Sequence, residues 1–165
     1  MNMQTEIGAL RRAPWTQWLG TAYAIALPAA ATGGRCGAFE ARVVAGGGPP
    51  LHVHHGEDEI IHVIEGEVDF WLDGAVTRLG AGRSVFLPRG IPHTFRVTEA
   101  APARTCGFVT PGGFEGFFAA AASERQGPHD PAGLAAFAER WQVAFLGPNP
   151  LMPRPLIAPT SHGEA

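Results

Sequence analysis

Glycine and proline interrupt this chain at such short intervals that no long helix can form. There are 22 glycines and 15 prolines in 165 residues. A helical bundle would lose about 1 kcal/mol at each interior glycine and about 3 at each proline. Short strands joined by tight turns use the same residues at no cost, so the composition points to an antiparallel sandwich or small barrel. The length suits one domain and is too short for an eight-fold β/α barrel. All 12 basic residues are arginine, and the net charge is −3. The absence of lysine excludes Schiff-base, pyridoxal-phosphate and P-loop chemistry. The charge balance gives no nucleic-acid footprint, and no helix-turn-helix pattern precedes the strands.

The strand pattern runs from Gly20 to Val109. Residues 20–27, 36–44, 75–79, 84–87, 93–98 and 103–109 read as strands, and residues 59–72 are β-rich with a bend at Gly66. Asp73-Gly74 is the strongest hairpin signal in the chain. The aromatics Tyr23, Phe39, Phe70, Phe86, Phe95 and Phe108 are expected in the core. Beyond Pro111 the period changes. Phe114, Phe117, Phe118 and Ala121 form one helical stripe, and Leu134, Phe137, Ala138 and Trp141 a second, opened by Asp130-Pro131 as N-cap and first helical residue. These stripes are expected to pack on the barrel wall, with one helix in a position to close the mouth. The reading therefore divides the chain into an arm at 1–14, a barrel at 15–110, a helical segment at 111–150 and an irregular tail at 151–165.

Cys36 and Cys106 form no disulfide framework and no metal or redox motif, which suits reduced, buried thiols and a cytoplasmic protein. Arg11-Arg12 before an apolar stretch looks superficially like a twin-arginine signal, but Thr21, Tyr23 and Pro28 break that stretch. No apolar run reaches the roughly 18 residues of a membrane span.

The histidines carry the chemistry. His52 and His54 are two apart, so on a strand they share a face. Glu59 follows a short polar turn, and His93 begins a later strand. Three imidazoles and a carboxylate converging inside a barrel make a site for one divalent transition metal. Fe, Mn, Ni, Co, Cu or Zn fits three nitrogens and one oxygen better than Ca or Mg does. By strand parity His55 points away, solvated or as a partner of a ligand, and His62 lies on the outer face; Glu57 and Asp58 read as loop charges, with a role for Glu57 behind a ligand as the lesser alternative.

The spacing Gly46-(five)-His52-Val53-His54-(four)-Glu59-(six)-Gly66, then Gly82-(five)-Pro88-Arg89-Gly90-(two)-His93, resembles the two cupin motifs. Nine residues fall in place, against a chance on the order of 10⁻¹⁰ from composition. Val97 stands where the second motif often has Asn, a residue that is not a metal ligand. The runs GPPLHVHHGEDE, VIEGEVDFWLDG, VFLPRGIPHTF, TPGGFEGFF and FLGPNP are similar to stand-alone cupins described as quercetin-2,3-dioxygenase-like. The resemblance covers roughly residues 15–150. It implies an all-β fold, a double-stranded β-helix (jelly-roll) barrel with C-terminal helices. It implies His52, His54, Glu59 and His93 as metal ligands, with Glu59 also the catalytic base. It implies a dioxygenase acting on a small enolic or aromatic substrate. Cupins also include metal-dependent isomerases and lyases, and a ligand-binding protein without turnover would carry the same ligands. A small-molecule substrate, no nucleic-acid or membrane partner and a homodimer formed through exposed barrel edges are the expected associations.

Overall fold

A computed structural model describes residues 13–123 and 130–153. Arg11-Arg12 and most of the expected tail lie outside the described residues. Eleven strands form two facing antiparallel sheets. They are β1 (Thr16–Trp18), β2 (Thr21–Leu27), β3 (Gly37–Val43), β4 (Leu51–His54), β5 (Asp58–Glu65), β6 (Glu67–Leu72), β7 (Ala75–Gly80), β8 (Ser84–Leu87), β9 (His93–Val97), β10 (Ala103–Thr110) and β11 (Val143–Gly147). One sheet has the order β1-β2-β3-β10-β5-β8, the other β11-β4-β9-β6-β7. This is the antiparallel sandwich that the turn pattern anticipates, and the all-β jelly roll that the resemblance implies.

Alternation builds the interior. Along β10, Ala103, Thr105 and Val109 are buried, while Phe108 and Thr110 are exposed. Val43, Val63, Val68, Phe70, Leu87 and Val97 fill the space between the sheets. At Asp73-Gly74 both residues have positive φ, 46° and 88°, as the tight turn between β6 and β7 requires. Gly66, expected as a bend in a continuous β-rich run, marks the passage of the chain from one sheet to the other.

Two expected core aromatics lie elsewhere. Phe86 and Phe108 are 56% and 44% exposed. Leu87 and Val109 take the inward positions next to them, and a strand cannot turn two successive side chains the same way. Phe86 pairs with Ile60, which pairs with Phe108, so the three form an apolar row on the outer face. Cys36 and Cys106 are half-buried free thiols. Burial pushes the Cys106 thiol up, which keeps it protonated.

The segment after Pro111 contains a 3₁₀ turn (Phe114–Gly116), then α1 (Phe117–Ser123) and α2 (Pro131–Glu139). The Asp130 side chain accepts from Ala132 N, the N-cap expected from sequence. Within this nominally helical stretch, Val143–Gly147 is instead barrel strand β11, paired with β4. Its five residues are too few for periodicity alone to separate strand from loop.

Glu115 fastens this segment to the barrel. Its buried carboxylate accepts from Ala29 N at 2.6 Å and Gly113 N at 2.7 Å. Gly37 leaves the room for it, since a Cβ there would lie 2.1 Å from Oε2. Replacing Glu115 with alanine strands two backbone donors, so Glu115→Ala is expected to lower unfolding free energy by roughly 2–4 kcal/mol in urea titrations. A change below about 0.5 kcal/mol, the range of an ordinary surface substitution, would show that the carboxylate holds nothing.

Candidate metal centre

The strand register places the histidines. His52 on β4 pairs directly with His93 on β9, and His54 follows two residues along β4 on the same inward face. Glu59 enters from β5 in the opposite sheet, where it pairs with Leu87 and Val109. All four side chains are at least nine-tenths buried. One nitrogen from each imidazole lies within 4.8 Å of the others. Glu59 Oε2 is 3.6 Å from His93 Nε2. The three histidines therefore converge, and Glu59 lies beside His93.

Hydrogen bonds decide which nitrogen faces inward. His52 Nδ1 lies 2.8 Å from Pro50 O, His93 Nδ1 2.9 Å from Ile91 O, and His54 Nδ1 2.6 Å from Glu57 Oε1. Each partner is an acceptor, so each Nδ1 carries the proton and donates it. Each Nε2 is left with a bare lone pair. The Nε2 atoms of His54 and His93 are buried with no hydrogen-bond partner. The nearest charged group to His93 Nε2, the Glu59 carboxylate, is itself an acceptor and lies beyond hydrogen-bonding reach. Burial costs these lone pairs their water, and no protein donor replaces it. A cation shared among them satisfies all of them at once, so the donor set fits a divalent transition metal.

The protonation pattern is consistent. Burial holds the His52 imidazole well below its usual range, and the nearby His93 and His54 push it further down. Neutral imidazole is the ligating form.

Glu57 is a correction to the loop-charge reading, being buried against His54. Its signal was the acid three residues after the second histidine, within a turn tight enough to bring it back. Asp58 is likewise no loop charge: it is the first residue of β5, paired with Thr110. Arg89 donates from its backbone and its guanidinium to Asp58, and from the guanidinium also to Gly56 O and Thr110 O. These bonds hold the Asp58 carboxyl at about 2. His55 is exposed. His62 lies on the outer face against Ser84, as parity required.

Above the four residues opens a pocket with an aromatic wall. Trp18, Tyr23, Phe39 and Phe95 line it together with Phe114, Phe117, Phe118 and Phe145. Phe114 sets its ring against the His54 imidazole at 4.3 Å in an edge geometry. Phe118 stacks on Tyr23 at 3.7 Å, and Phe117 meets Trp18 at 5.0 Å. The stripe of the first helical segment thus lies across the barrel mouth as well as packing on the wall. Gly107 makes room for Phe39, whose ring would come within 2.4 Å of a Cβ there. Trp18, Val143 and Phe145 come from β1 and β11, the strands the sequence pattern did not separate. Asn149 anchors the end of β11 by donating to Pro49 O and Phe95 O.

Residues 39–109 match the family model of the Cupin_2 domain. The barrel has the cupin fold. Among solved structures, KdgF from Halomonas sp. aligns with a TM-score of 0.54 at 20% identity, over 59% of this chain and 86% of that one. An RmlC-like cupin from Shewanella frigidimarina NCIMB 400 aligns at 0.53 and 19% identity, over 60% and 84%. A predicted oxalate decarboxylase from Thermotoga maritima aligns at 0.53 and 23%, over 55% and 80%. At these identities the likeness is one of cupin fold, on which many chemistries are built. No curated protein sequence matches the chain significantly. Among the described residues no helix is long and apolar enough to cross a membrane.

Proposed function

We propose that this cupin is a metal-dependent oxidoreductase of the dioxygenase type, acting on a small enolic or aromatic molecule. The observation that carries the reading is the set of unpartnered inward lone pairs of His54 and His93 beside the Glu59 carboxylate, at the floor of an aromatic pocket. A divalent transition metal held by His52, His54, His93 and Glu59 would supply Lewis acidity toward an enolic oxygen and, with a redox-active ion, electron transfer to dioxygen.

The lining side chains favour a flat, largely apolar substrate. Among the described residues no arginine lines the pocket, and the chain has no lysine, so a second anionic group on the substrate would be buried without a partner there. Beyond the four candidate ligands, the polar groups of the wall are the Tyr23 and Thr105 hydroxyls and the Trp18 indole N–H. A sugar with several hydroxyls would leave most of them unsatisfied, whereas a flat apolar body buries against rings. Burial raises the Tyr23 phenol well above its usual range, so the wall stays uncharged at that point. Glu59, ionised at neutral pH, accepts the proton of the incoming hydroxyl. The phenylalanines from the α1 segment keep water away while it does so.

Oxygen uptake tests the reading. Protein loaded in turn with Fe, Mn, Ni, Co, Cu and Zn is offered flavonols, catechols and 1,3-diketones in an oxygen electrode. Substrate-dependent uptake with a redox-active ion, abolished by chelator, is expected. Turnover that persists under anaerobic conditions would instead make it a lyase or isomerase. Saturable binding with no product would make it a carrier.

A further inference from the structure

The three imidazoles are not held alike. His52 and His93 each give the Nδ1 proton to a main-chain carbonyl two residues upstream, Pro50 O and Ile91 O. His54 gives its proton to a side chain, Glu57 Oε1, at 2.6 Å, and this is the shortest of the three bonds. Glu57 is only 6% exposed, and His54 is 1% exposed. A buried carboxylate is costly, and among the described residues the side chain bonded to this one is His54. Its turn is pinned on both sides: Arg89 grips Gly56 O and Asp58, while His55 N donates to Gln142 O. The fold therefore spends several interactions to keep an anion behind one ligand.

We propose that Glu57 is the positioning residue of the metal centre, fixing the orientation and tautomer of His54 and making it a stronger donor than its two neighbours. A full negative charge on the far side of the ring raises the basicity of Nε2, which a neutral carbonyl does far less. The same charge, added to that of Glu59, balances a divalent ion inside a wall that supplies no other compensation. The inference rests on the metal reading and not on the dioxygenase reading.

The test is a double-mutant cycle read by metal affinity, using Co(II) or Zn(II) in competition with a chromophoric chelator. Glu57→Ala is expected to weaken binding roughly 10–100-fold. Glu57→Gln, which keeps an acceptor but removes the charge, is expected to fall between the alanine variant and the parent; it also serves if the alanine variant does not fold. In a His54→Ala background neither change should weaken the residual binding further, because Glu57 acts through that ring. In metal-free protein, proton NMR should show the His54 Nδ1–H resonance far downfield. Glu57→Gln should shift it and Glu57→Ala should remove it, with those of His52 and His93 unmoved. Parent-like affinity in Glu57→Gln would overturn the role of the charge. An equal loss in the His54→Ala background would overturn the route through His54. If the parent itself binds neither ion, the metal reading falls and this inference with it; if the parent binds and the variants bind equally well, this inference alone falls.

Discussion

His93→Ala is expected to abolish metal binding and every property that depends on it. Loss of an outer partner costs roughly 10–100-fold in affinity, and His93 is a proposed direct ligand whose Nε2 has no other function in the fold. The readout is thermal. With free metal at about 100 times its dissociation constant, binding adds about 2.7 kcal/mol to the folded state, or roughly 5–10 °C in a domain of this size. That increment should appear in the parent, vanish with chelator and be missing in His93→Ala. It should also shrink in acid. His52 is held neutral well below its ordinary value of 6.5. Above that pH both folded and unfolded chains carry it neutral, and it contributes nothing to the pH dependence. Below about 6.5 the unfolded chain takes up a proton that the folded site refuses, so stability falls as pH drops. Metal deepens the loss, since its ligation keeps the imidazoles neutral. A melting temperature indifferent to chelator at neutral pH would rule out a filled site.

Glu59→Gln separates holding the metal from using it. The amide keeps the shape of the side chain and an oxygen donor, so much of the metal should remain. It cannot accept a proton at neutral pH, and turnover should fall by roughly the 10²–10⁴-fold that a general base contributes. Metal content is measured in the same samples, because activity alone does not distinguish a lost base from a lost ligand. Parent-level turnover in Glu59→Gln would move the base elsewhere. Glu57 would be a poor substitute, since its carboxylate is engaged by His54 Nδ1, and His55 faces outward.

Much of this architecture was legible because it rests on short-range rules. Period-two alternation and the turn chemistry of Asp73-Gly74 specify strands and hairpins locally. Parity placed His62 on the outer face and put His52 and His54 on one face without reference to any distant residue. The same rule, applied to Phe86 and Phe108, would have turned them outward; hydrophobicity outvoted parity in that reading, and the strands obeyed parity.

What local rules could not reach was decided by long-range pairing. β11 is a strand because β4 offers it an open edge some 90 residues earlier in the chain, placing Val143 beside His54 and Phe145 beside His52. Glu57 is a ligand partner instead of a loop charge because Arg89, 33 residues away from Gly56, closes the turn that holds it. The stripe of Phe114, Phe117 and Phe118 announced a helix but not what it would cover; Glu115 bound to Ala29 lays it over the metal floor. Residue type and spacing alone pointed to the three histidines that converge in the barrel and to the carboxylate beside His93, because those chemical requirements are written along the chain. Which imidazole nitrogen faces inward, and which carboxylate stands behind His54, are properties of hydrogen bonds that exist only once the strands have closed around them.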